Sequence, residues 1–110
     1  MLEGSFYHIV QKDGLCVTIV LNAQHPIYKA HFLDKPITPG ACLVQIAEEM
    51  LQQQIVRITN LKFLQIVPPT AELVYTFTPR NEQEYQVTIT DSQHTYARFI
   101  ATYMRSHTHV

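Results

Sequence analysis

Two short stretches near the start of the chain, residues 6–11 and 15–22, are rich in β-branched and aromatic side chains, and Lys12, Asp13 and Gly14 between them are turn formers. That pattern predicts a β-hairpin. Across residues 23–38 neither the strand period nor the helix period is present, and Pro26 and Pro36 restrict the backbone. A long loop is expected there, and long ordered loops commonly carry function. Thr38 can cap a helix, and Pro39 suits its first position, where no amide hydrogen is required. From there an apolar helical pattern runs to about Gln52. Leu43, Ile46, Ala47, Met50, Leu51 and Gln54 form a broad arc, apolar in all but the last, while Gln45, Glu48, Glu49 and Gln52 make up the opposite stripe. The width of the arc predicts that most of the helix surface is buried.

After Ile55 the period changes to two. Residues 55–66, 72–78, 84–91 and 95–105 read as strands, with turns at 79–81 and 91–93, which with the hairpin makes about six strands. Consecutive strands joined by tight turns favour an antiparallel sheet, and a single helix with a wide apolar arc needs that sheet curved around it. The predicted class is α+β, one helix against one antiparallel sheet.

Composition adds limits. The chain has 110 residues, which at roughly 100–200 residues per domain predicts one domain over residues 1–110. With 46% hydrophobic and 15% charged residues it has the material for a packed core. The net charge is -1 and the eight Lys and Arg are scattered, so no phosphate-tracking run is visible and nucleic acid is not an expected partner. No apolar stretch reaches the ~18 residues that span a bilayer. Glu3 and His8 stand where a secretory signal needs an apolar run, so a cytoplasmic protein without a membrane span is expected. Cys16 and Cys42 lie in apolar runs and are expected to be reduced packing residues. His8 and His94 fall in or beside strand-like segments. The alternate His107 and His109 make too small a ligand set to predict a metal site. Neither a nucleophile elbow nor a glycine-rich phosphate loop is present.

The segment His31-Phe32-Leu33-Asp34-Lys35-Pro36-Ile37-Thr38-Pro39-Gly40 resembles the H-F-x-x-x-P-I-x-P-G signature of the bacterial β-hydroxyacyl-acyl-carrier-protein dehydratases, placed just before the predicted helix. The approach His25-Pro26-Ile27-Tyr28-Lys29-Ala30 is similar to that family's, with Ala30 where Gly is usual. Leu61-Lys62-Phe63 followed by Val67-Pro68-Pro69 resembles its looser F-x-x-P-V-x-P-G motif. Together these cover roughly residues 20–75. The resemblance implies a hotdog fold, in which a curved antiparallel sheet wraps a central helix. It also implies a homodimer with acyl tunnels along the interface, and elimination of water from a β-hydroxyacyl thioester on an acyl carrier protein or coenzyme A, with no cofactor. A histidine of one subunit then faces a helix Glu or Asp of the other.

That chemistry needs a base for the proton beside the carbonyl, a donor for the enolate-like oxygen and an acid for the leaving hydroxyl. His31, with an ordinary pKa near ~6.5, fits the base. The resemblance assigns the thioester oxygen to the amide of Gly40, beside Ala41, at the positive end of the helix. Without it, Gly40 reads equally well as a site of close helix–sheet packing. An apolar tunnel lined partly by Phe32, Leu43 and Phe63 is expected to end beside His31 and Gly40. At the family's Glu or Asp position, fourteen residues after the histidine, stands Gln45, and a primary amide is no general acid at neutral pH. Glu49, one turn on, is the candidate to replace it, although the polar stripe reads equally as a solvated helix face. Four functions stay open: a dehydratase using His31 and Glu49; a non-catalytic acyl-binding subunit; one half of a heterodimer with a related dehydratase that supplies the carboxylate; and a hotdog thioesterase, for which Gln45 is equally unsuited.

Overall fold

The protein is seen in a computed structural model that describes residues 1–31 and 36–104, with backbone only for residues 30 and 31. Six strands, β1 (Tyr7–Asp13), β2 (Cys16–Leu21), β3 (Ile55–Phe63), β4 (Glu72–Pro79), β5 (Glu84–Thr90) and β6 (Thr95–Tyr103), form one antiparallel sheet in the order β1-β2-β4-β5-β6-β3. Two helices, α1 (Ile27–His31) and α2 (Gly40–Leu51), lie between β2 and β3 in sequence. The hairpin pairs Asp13 with Cys16, so the tight turn is Gly14-Leu15, and Gly14 takes the left-handed φ of +61° that a β-carbon would disfavour.

One face of the sheet is apolar because the side chains alternate. Val17, Ile19, Leu73, Tyr75, Phe77, Val87, Ile89, Phe99, Ala101 and Tyr103 all point inward and are buried. Cys42, Leu43, Ile46, Ala47 and Met50 of α2 meet them. Two buried tyrosines fix the helix on the sheet: Tyr75 donates its hydroxyl hydrogen to the Leu43 carbonyl at 2.8 Å, and Tyr103 donates to the Ala47 carbonyl one turn later at 3.1 Å. The expected wide burial of the helix is narrower within this chain, since Ala41 and Gln45 are exposed and Val44, Glu48 and Leu51 are half-buried. Gln54 lies beyond the helix and is exposed.

Several local expectations are corrected. Residues 23–38 are not loop throughout. Pro26, needing no amide hydrogen, precedes α1, and the Nδ1 of His25 accepts from the Ile27 amide at 3.1 Å, so the turn is capped from its own sequence. Thr38 does not cap α2. Pro39 holds the N-cap position without a side-chain bond, and the Thr38 hydroxyl instead meets the Tyr28 hydroxyl at 2.9 Å in the interior. Cys42 is buried as expected, but Cys16 is exposed. β3 stops at Phe63 rather than residue 66, and its register against β6 shifts between Thr59 and Lys62, where Asn60 has a φ of +53°. Such a bulge re-aims the residues beyond it, and Asn tolerates the left-handed region better than most.

Candidate functional site

Residues ahead of α2 are tied to the strand side of the molecule by the Thr38 amide, which donates to the Val67 carbonyl at 2.8 Å, and by the Thr38–Tyr28 hydroxyl pair. Tyr28 in turn stacks on Phe6, ring centroids 5.6 Å apart, and Phe6 meets the His25 ring edge-on at 5.2 Å. This aromatic stack seats α1, whose last residue by backbone is His31. The His31 side chain, Phe32, and the tail histidines His107 and His109 lie outside the described residues.

Between the start of α2 and the end of β3 is a cleft of about 300 Å³, lined by Ile37, Thr38, Gly40 and Leu43 on one side and by Phe63 to Val67 on the other. It thus unites three of the sequence-predicted positions, Gly40, Leu43 and Phe63, in one mainly apolar pocket. The Cys42 and Leu43 amides both donate to the Pro39 carbonyl, so the amides of Gly40 and Ala41 precede the helix ladder, at the positive end of the dipole. Gly40 has a packing reason as well. A β-carbon built there would stand 2.5 Å from the tip of the Phe63 ring. Close approach of helix and strand is therefore present at the same residue as the helix-start amide. Ala41 lines a different hollow, of about 230 Å³, with Val44, Gln45, Glu48, Ile55 and Ile58.

Gln45 and Glu49 touch each other and do not line the cleft of their own chain. The Glu49 carboxylate accepts four hydrogen bonds: from the Leu2 amide at 2.6 Å, the Glu3 amide at 3.0 Å, the Tyr7 hydroxyl at 3.0 Å and the Gln45 Nε2 at 3.1 Å. Desolvation pushes the Glu49 carboxyl upward, but the Leu2 and Glu3 amides, Gln45 and Tyr7 outweigh it and hold the group below its ordinary value. Burial, then the bond to Glu49, raises Tyr7 well above the usual phenol range. Because a carboxylate can only accept, the Gln45 amide turns its nitrogen to Glu49. Glu48 is also engaged, accepting from the Ile55 amide at 2.7 Å. Sequence reasoning did not foresee the grip of Glu49 on the N-terminal segment, because its partners lie 42 to 47 residues away.

The six-stranded curved sheet over a short central helix is a hotdog-like α+β fold. The chain belongs to the ApeI-like family, described as ApeI dehydratase, whose model matches residues 8–99. No curated protein matches it. Among solved structures it is similar to the dehydratase heterocomplex ApeI:P from Xenorhabdus doucetiae, with a TM-score of 0.72 at 15% identity over 82% of this chain and 86% of that one. An uncharacterized protein from Erwinia carotovora subsp. atroseptica is also similar, with a TM-score of 0.56 and 18% identity over 89% and 91% of the two chains. At these identities the likeness is one of fold. Membership of the family supports a dehydratase-like protein.

Proposed function

We propose that the chain is one subunit of a dehydratase that eliminates water from a 3-hydroxyacyl thioester carried on an acyl carrier protein or coenzyme A, and that its active site is completed by a related chain. His31 is the base that takes the proton beside the carbonyl, and the Gly40 amide holds the thioester oxygen as charge gathers on it. The acyl chain lies along Leu43 and Phe63. An acid of the partner's helix protonates the departing hydroxyl, and the products are a 2-enoyl thioester and water.

The observation that carries this reading is the state of Glu49. Its carboxylate is spent on the N-terminal segment, its proton affinity is lowered, and Gln45 beside it has no acidic proton to give. A homodimer would bring two such helices together and no free acid. A heterodimer brings one. The edge of the sheet supports pairing: among the described residues β3 is bonded to β6 alone, and Val56, Leu61, Phe63, Leu64 and Ile66 on and just after it are 43 to 66% exposed. The ApeI:P structure is itself a heterocomplex.

The test is to install the missing acid. Gln45→Glu in an otherwise inactive chain is expected to raise turnover of a 3-hydroxyacyl thioester, and His31→Ala on top of it to abolish the gain. A parent chain that is fully active alone and loses that activity on Glu49→Gln would overturn the reading in favour of Glu49 as the acid.

A further inference from the structure

The cations scattered along the sequence do not stay scattered in the fold. On the outer face of the sheet, away from α2, Lys62 of β3 lies directly opposite Arg98 of β6 in the antiparallel register, and Arg80, just past β4, joins them around a groove of about 440 Å³. Asn60 and Gln86 add amide groups, and no carboxylate lines the groove. Among the described residues none of the three cations has an ion-pair partner.

Like charges facing each other across a strand pair destabilise the sheet, and among the described residues no carboxylate in the groove relieves this pair. Lys62 reaches its place because of the bulge at Asn60, which sends Phe63 toward Gly40 and Lys62 to the opposite face. The juxtaposition is therefore built by backbone geometry, and it makes sense beside an anion. Three convergent cations with amide donors suit the several oxygens of a phosphate, Arg98 and Arg80 offering paired N–H groups and Lys62 a point charge. The groove is larger than a phosphate ion needs and falls within the range of small-molecule sites. Ile100 gives it an apolar wall.

We propose that this groove binds a phosphate group, free or on an organic molecule of nucleotide size. The site is separate from the cleft at Gly40, on the other side of β3, and the inference stands whether or not the chain handles thioesters.

Calorimetry at low ionic strength with inorganic phosphate, ADP and adenosine tests it. Saturable binding of phosphate and ADP, with none of adenosine, is the expected result. ADP binding more tightly than phosphate assigns the site to an organic phosphate, and equal affinity assigns it to the free ion. Arg98→Gln is expected to weaken ADP at least tenfold, while Lys12→Gln, at the far edge of the sheet on β1, changes it less than twofold. Because Lys62 and Arg98 repel each other, Lys62→Gln is expected to hold or raise the melting temperature without ligand, and added phosphate to raise it more in wild type than in the variant. No saturable binding, equal binding of adenosine and ADP, or equal loss in Lys12→Gln and Arg98→Gln would each overturn the proposal.

Discussion

Glu49 is four residues from Gln45, a spacing that puts both on one helix face, and that much is legible from the chain alone. What the face is used for is not, because the donors to Glu49 come from Leu2, Glu3 and Tyr7, far away in sequence. Removing an acceptor that serves several donors strands them, so Glu49→Ala is expected to cost about 1–3 kcal/mol in urea unfolding. The pH dependence has a definite sign. A carboxyl held below its unfolded value contributes stability that is fully present above the ordinary carboxyl range and is lost as pH falls through the depressed folded value. Wild type should therefore lose stability over that acid window, and the difference from Glu49→Ala should shrink there. A difference constant from neutral pH to below the window would show that folding does not lower the proton affinity of Glu49. Gly40 is a second case of partial legibility. Its place before the helix is readable, whereas the Phe63 ring against it is not, since the strand carrying that ring is set by the bulge at Asn60. Gly40→Ala should lower the melting temperature by forcing the ring aside, and Gly40→Ala with Phe63→Ala should recover part of the loss relative to Phe63→Ala alone. No recovery would mean that the ring is not the obstacle.

At the scale of elements, the strands and the long helix follow from periodicity, because each has one buried face and the alternation is fixed by geometry. α2 occupies Gly40–Leu51, close to the expected span, and the six strands differ from expectation mainly at their ends. α1 escaped because five residues are too few to show a helical period; its stop and start depend on His25 accepting the Ile27 amide and on the aromatic stack of Phe6 and Tyr28. The attachment of α2 to the sheet is likewise invisible in the pattern, where Tyr75 and Tyr103 count simply as apolar strand residues. Each donates to a helix carbonyl that already belongs to the ladder, so each hydroxyl is an added bond. Tyr75→Phe and Tyr103→Phe are each expected to cost about 0.5–1.5 kcal/mol. Equilibrium denaturation of both variants checks this, and a neutral result for both would mean that ring burial alone holds the helix.

For the whole molecule, the decisive feature is an unfinished one. β3 ends the sheet with an exposed apolar run, and the cleft at Gly40 has its acid neither on Gln45 nor on Glu49. In the proposed heterodimer a second, related chain closes both gaps, and a charge at Phe63 or Ile66, such as Ile66→Asp, is expected to weaken that association by tenfold or more as read by analytical ultracentrifugation. The most direct test of the account is turnover of a 3-hydroxyacyl thioester by this chain alone, by the chain mixed with a related dehydratase subunit whose own histidine has been replaced, and by the same mixture carrying His31→Ala. Little activity alone, recovery in the mixture, and a fall of about 10²–10⁴-fold on His31→Ala are predicted. Full activity of the isolated chain, or a mixture indifferent to His31, would contradict it.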